Sequence, residues 1–277
     1  MKRKAIFPFV TYPDAPTDAM ASQVAAAAGI LDADLHALAV NVDIPDIGNA
    51  FSRLLVDVPG MTRAAEGKSR QAGERVHAML ATAARQRGVA LSTETKVAEP
   101  ADMSNVAAAR ARYFDLVVAP AEPGNVTARE LTEALVFETG RPVLIVPSSG
   151  LPEALRVVAI AWDGSKVAAR AVADAMPLLT AAERVHVLTV VDEKPLQEQA
   201  GRLLAESLRD HGIAAEANAV EAEDRPIGAT LQDDALGLGA GLLVMGGYGH
   251  SRLRDFVLGG ATQGVLDEPK MPVLISH

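Results

Sequence analysis

Short uninterrupted apolar runs recur along the chain, and stretches with helical spacing lie between them. The runs Ala5–Val10, Leu35–Val40, Leu116–Val118, Val157–Trp162, Val185–Val190 and Leu242–Val244 are apolar on both faces, and Glu74–Arg87, Lys166–Leu179 and Leu196–Asp210 read as helices. Strands apolar on both faces and separated by helices predict a parallel sheet covered on both sides. The many alanines on the helical stretches are helix formers suited to close packing.

The pattern occurs twice. Ala5–Val10 corresponds to Val157–Trp162, and Leu35–Val40, leading to Val42-Asp43, corresponds to Val185–Val190, leading to Val191-Asp192. Arg87-Gly88-Val89-Ala90 matches His211-Gly212-Ile213-Ala214, in each case a helix stopped by glycine. Leu116–Val118 matches Leu242–Val244, and Pro142–Ile145 matches Pro272–Ile275. Five anchors in one order predict two tandem domains, 1–149 and 152–277, joined through Ser148–Pro152, a small-residue and proline stretch of linker character. Asp43 to Gly88 spans 45 residues and Asp192 to Gly212 only 20, so the first half carries an insertion, placed between Ile44 and Lys68. Each half is expected to be a doubly wound, mainly parallel α/β sheet, with ligands beyond the carboxyl ends of its strands.

Composition narrows the function. The 277 residues are 49% hydrophobic and 22% charged, enough apolar material for a folded core. A formal net charge of −9 argues against a nucleic-acid partner. The chain has no cysteine, which removes disulfides and thiolate metal sites. The apolar run after Met1–Lys4 is short and broken by Pro8, too little for a secretory signal, and no stretch reaches the length of a bilayer span. The expectation is a soluble cytoplasmic protein with no membrane partner.

One strand end differs from the others. Leu242–Met245 runs into Gly246-Gly247-Tyr248-Gly249-His250-Ser251-Arg252, and Gly259-Gly260-Ala261-Thr262 then opens a helix. Glycines after a buried strand let backbone N–H groups approach an anion, and a helix N-terminus adds positive potential. A phosphate cradle and a simple tight turn both fit these residues. From 151 onward the chain has 11 basic and 18 acidic residues, so an anion here would rest on backbone dipoles and on His250, Arg252 and Arg254 rather than on a global field.

These residues resemble the universal stress proteins in their tandem two-domain form. The family's nucleotide-binding members carry G-2x-G-9x-G-(S/T) after the fourth strand, which Gly246, Gly249 and Gly259 fit, and an Asp-Gly-Ser-like turn after the first, which Asp163-Gly164-Ser165 fits. The resemblance implies an adenine nucleotide alpha hydrolase-like fold with two five-stranded sheets. It also implies that an adenine nucleotide (ATP, ADP or AMP, with Mg accompanying ATP) is the ligand. Asp163 would then face the adenosine end, Val190 and Val191 would offer backbone groups to the base, and the glycine loop with Gly260 and Thr262 would hold phosphates. Asp163 reads equally well as the N-cap of the helix starting near Lys166.

There are departures from the pattern. Gly260 stands where the family has Ser or Thr, and a lost hydrogen bond to a charged group costs about 1.5–3 kcal/mol. In the first half Ala119-Pro120-Ala121-Glu122-Pro123-Gly124-Asn125 follows the fourth strand and Thr11-Tyr12-Pro13 replaces the Asp-Gly-Ser turn, so no nucleotide is expected there. The chain lacks a P-loop, a nucleophile elbow and an evident acid–base pair, and the expectation is a non-catalytic stress-response protein. A structural or interaction module binding no nucleotide, and a slow ATPase using Asp163 or Asp255, are the alternatives. His36 and His186 hold equivalent strand positions and read as buried polar residues, not metal ligands. The terminal strands Val143–Val146 and Val273–Ile275 are expected to pair the two domains within one chain, and a homodimer of chains stays open.

Overall fold

The computed structural model describes residues 2–45, 57–122, 124–191, 197–247 and 260–277. It divides into two compact units: Met1–Val118 with Gly124–Thr139, and Ala119–Pro123 with Gly140–His277.

In the first unit, strands β1 (Arg3–Val10), β2 (Ala33–Val42), β3 (Leu91–Ala98) and β4 (Leu116–Pro120) alternate with helices α1 (Asp18–Ile30), α2 (Val58–Gln86), α3 (Met103–Ala111) and α4 (Val126–Glu138). The strand order is β3-β2-β1-β4, and the pairings within it are parallel. β1 is buried from Ala5 to its end, as its unbroken apolar run requires, whereas β3 (LSTETKVA) is a polar edge strand exposed at Ser92, Thr93, Thr95 and Val97. The described part of the insertion is mainly helix: α2 has 29 residues, against 14 in its counterpart α6. Gly88 at φ +66° and Gly212 at φ +77° follow α2 and α6, the left-handed helix stops read from the sequence.

In the second unit, β5 (Val143–Val146), β6 (Val157–Ala161), β7 (Arg184–Val190), β8 (Ala215–Val220), β9 (Leu242–Gly246) and β10 (Val273–Ser276) accompany α5 (Lys166–Ala181), α6 (Gln197–Asp210), α7 (Ile227–Gly237) and α8 (Gly260–Asp267). The order β10-β9-β6-β7-β8 repeats the winding of the first unit, and its pairings are parallel. β5 joins this unit as an antiparallel neighbour of β10, with Ile145 opposite Val273 and Val143 opposite Ile275.

Register refines the internal repeat. Ala5 faces Leu116 in one half and Val158 faces Leu242 in the other, so β1 aligns with β6 through Ala5 and Val158. The sequence comparison set Ala5 against Val157, one residue early, because a uniform apolar run carries no internal marker of register. Among the described residues no helix is long and apolar enough to cross a membrane.

Candidate functional site at the strand ends of the second unit

Chain order in the second sheet reverses between β6 and β9, the topological switch point where ligands of doubly wound sheets bind. The structure brings Asp163, Val190, Val191 and Gly246 to the carboxyl ends of β6, β7 and β9, which are adjacent strands.

Asp163 lies just past β6 and is exposed. Its Oδ1 accepts the Ser165 N–H at 2.9 Å, closing a turn that Gly164 completes at φ +72°. The helix does begin at Lys166, but its N-cap is Ser165, whose Oγ accepts the Ala168 N–H at 3.2 Å. Asp163 therefore supports the turn rather than capping the helix. Val190 ends β7, and the Val191 N–H is donated to the Val220 carbonyl at 3.0 Å, leaving the Val191 carbonyl as the group that position could offer a base.

Gly246 has a packing role that the sequence did not reveal. A Cβ there would lie 2.5 Å from Ala168 N and 2.6 Å from Val167 C, so the first turn of α5 reaches the strand end only because this residue has no side chain. The Gly247 N–H is donated to the Ser276 carbonyl at 2.8 Å, and the His277 ring lies 2.8 Å from the Gly247 carbonyl. Gly260 is the first residue of α8 and is exposed, while Thr262, in the same first turn, is buried. Gly249, His250 and Gly259 lie outside the described residues, as do Arg252, Arg254 and Asp255.

Three polar groups missed in the sequence stand out here. Trp162 Nε1, Thr189 Oγ1 and Ser276 Oγ are buried without a hydrogen-bond partner. Ser276 pairs with Gly246, and the pairing of Ala161 with Met245 and Leu188 carries Trp162, one residue on, to the level of Gly246 and Thr189. All four positions thus fall on one sheet face, the face that α5 covers at Gly246 and α6 covers at Gly201, whose Cβ would lie 2.5 Å from Thr189 Oγ1. A buried polar group left unpaired costs about 1–3 kcal/mol, so three along one rim require an explanation. The sequence signal was available for one of them: Ser276 interrupts an apolar run that its counterpart, ending in Val146, does not. Among the described residues no group of three or more His, Asp or Glu could hold a metal ion.

The profile of the universal stress protein family matches residues 155–277. No curated protein matches the chain. Among solved structures, a universal stress protein from Archaeoglobus fulgidus DSM 4304 is similar in fold, with a TM-score of 0.70 and 14% identity over 98% of this chain and 95% of that one. A Pseudomonas aeruginosa PAO1 protein described as functionally unknown matches with a TM-score of 0.55 and 17% identity over 99% of this chain and 92% of that one. A universal stress protein described as such only provisionally, from Pseudomonas aeruginosa UCBPP-PA14, matches with a TM-score of 0.54 and 16% identity over 99% and 93%.

Proposed function

We propose, since residues 155–277 match the universal stress protein family, that the second unit is a non-catalytic module that binds an adenine nucleotide at the ends of β6, β7, β9 and β10. The observation that carries this reading is the row of unpartnered buried groups, Trp162 Nε1, Thr189 Oγ1 and Ser276 Oγ, beside the glycine-bearing strand end. A polar ligand in the rim supplies partners that the chain itself withholds, and exposed Asp163 stands next to it with Oδ2 free of the turn that Oδ1 closes. ATP, ADP and AMP share the adenosine that this rim would meet. Mg would accompany the triphosphate.

A packing module that binds no nucleotide is the second reading. It is favoured by the Gly247 N–H, which is already donated to Ser276, and by the absence of a hydroxyl at Gly260.

Trp162 is the sole tryptophan, so its fluorescence reports on the rim directly. Titration with ATP, ADP or AMP should change the emission saturably, and Gly249→Val should abolish the change. An emission that stays constant into the millimolar range with all three nucleotides would establish the packing-module reading instead.

A further inference from the structure

The amino ends of β1, β2 and β3 in the first unit carry a second polar concavity. It is a cavity of about 410 Å³ lined by Lys4, Asp34, His36, Ser92, Arg110 and Phe114 among others. That volume lies within the usual range for small-molecule sites, about 300–1,000 Å³.

Its walls are built by register. Lys4 is opposite Asp34, and His36 is opposite Ser92, so these four side chains share one face of β1, β2 and β3. Arg110 and Phe114 come from α3 and the turn after it. Inside this frame the groups are fixed by one another. The His36 ring lies 2.8 Å from Ser92 Oγ through Nδ1 and 3.0 Å from Glu94 Oε2 through Nε2, and it stacks on Phe114 with centroids 5.0 Å apart. Arg110 donates Nε–H to Glu94 Oε2 at 2.7 Å and lies 5.0 Å over the Phe114 ring. Burial would raise the Glu94 pKa, but the hydrogen bonds from Arg110 and His36 outweigh it and hold the carboxyl below its ordinary 4.5.

Arg110 is held by Nε and by its face, and among the described residues neither Nη group has a hydrogen-bond partner, which leaves the kind of guanidinium edge that receives a carboxylate. Lys4 and Asp34 are cross-strand neighbours, yet among the described residues their side chains form no ion pair with each other, and neither the Lys4 ammonium nor the Asp34 carboxylate has any other hydrogen-bond partner. The equivalent place in the second unit lacks this arrangement. There His186 is 3.1 Å from both Asn218 Oδ1 and Glu216 Oε1, and Leu236 stands where Arg110 does.

We propose that this cavity binds a small zwitterion of the amino-acid class, its carboxylate on Arg110 Nη and Lys4 and its ammonium on Asp34. The Lys4 ammonium, the Nη edge of Arg110 left over from its ion pair with Glu94, and the Asp34 carboxylate match such a ligand better than a simple anion, which would meet Asp34, or a simple amine, which would meet Lys4 and Arg110. The site is independent of any nucleotide at the other strand ends.

Calorimetric titration of the full chain with the twenty common amino acids, and with acetate and methylamine as half-ligands, tests this. At least one amino acid should saturate the protein, with acetate and methylamine binding at least tenfold more weakly. Asp34→Asn, a change at a half-buried surface position that leaves the core intact, should weaken that binding at least tenfold, as should Lys4→Met, while Asp163→Asn should leave it unchanged. No saturation by any amino acid at 10 mM (about the weakest range that titration resolves), equal binding of acetate, or binding indifferent to Asp34→Asn would each overturn the proposal.

Discussion

At equivalent register positions the two halves made opposite choices. Trp162, Thr189, Gly246 and Ser276 on one sheet face of the second half correspond to Phe9, Ala39, Pro120 and Val146 in the first. The first set is polar or bare and leaves three buried polar atoms unpaired. Its counterpart is wholly apolar. Just beyond it, the first half also seals its strand ends: Thr11 Oγ1 donates toward Asn41 Oδ1 at 3.0 Å and the Val40 carbonyl at 3.2 Å, and it lies 2.6 Å from Ser69 Oγ, which accepts the Val42 N–H at 2.9 Å. Ser69 belongs to the lengthened α2, and Glu66 one turn earlier accepts the Ile44 N–H at 3.2 Å. The lengthened α2 therefore brings the hydroxyl and carboxylate that satisfy the ends of β1 and β2 internally. The same winding thus carries an apolar rim with strand ends closed by Thr11, Asn41 and Ser69 in the first half, where His77 Nε2 beside Phe9 is the one buried polar atom unpartnered among the described residues, and a rim with three such atoms in the second.

The contrast can be broken hardest at Gly246. Gly246→Ala places a methyl 2.5 Å from backbone N of Ala168, where no flexible side chain can yield. Overpacking of this kind costs about 3 kcal/mol, at the upper end of the common range, and urea unfolding should show it as a lower midpoint at constant slope.

Next in size is Ser69→Ala, which strips the buried partner from both Thr11 and the Val42 N–H. The expected loss is about 1–3 kcal/mol, read in the same unfolding experiment.

His77 supplies a pH test of the closed half. Burial, partly offset by a hydrogen bond with the Ala37 backbone and reinforced by the neighbouring His36 charge, lowers its pKa below 6.5. The folded protein thus keeps His77 neutral while the unfolded chain protonates near 6.5, so its contribution is present above pH 6.5 and declines as pH falls below it. His77→Leu should flatten the dependence of the thermal midpoint on pH between 5 and 7, a window chosen about the ordinary histidine value. Glu94 also loses its stabilising partners on acidification, but only below 4.5, which separates the two effects.

The change of opposite sign sharpens the comparison most. Ser276→Ala removes a buried hydroxyl that has no partner, so the protein without ligand should be stabilised, by at most about 1–3 kcal/mol, in contrast to Ser69→Ala. Nucleotide affinity should nevertheless fall.

Much of this was legible in the sequence, for identifiable reasons. Apolar runs bounded by turns announced the parallel strands, and the glycines at 88 and 212 marked where α2 and α6 stop. The sequence matched the ends of the two halves but slipped by one at Ala5, since Ala5–Val10 has no polar residue to set its phase. That slip hid the pairing of Trp162 with Phe9, and with it the polar-for-apolar exchange. Gly246 was read as a residue that exposes amides, and its packing against α5 became visible only when the helix was in place. The cavity around Arg110 was invisible in one dimension, because Lys4, Asp34, Ser92 and Arg110 are gathered from three strands and a helix.

The central claim, one open rim and one closed rim per chain, is tested most directly by the stoichiometry of nucleotide binding in isothermal titration of the full chain with ATP, ADP and AMP. The account predicts one site per chain, weakened by Asp163→Asn and by Ser276→Ala and unaffected by Thr11→Val. Two sites per chain, or none, would contradict it.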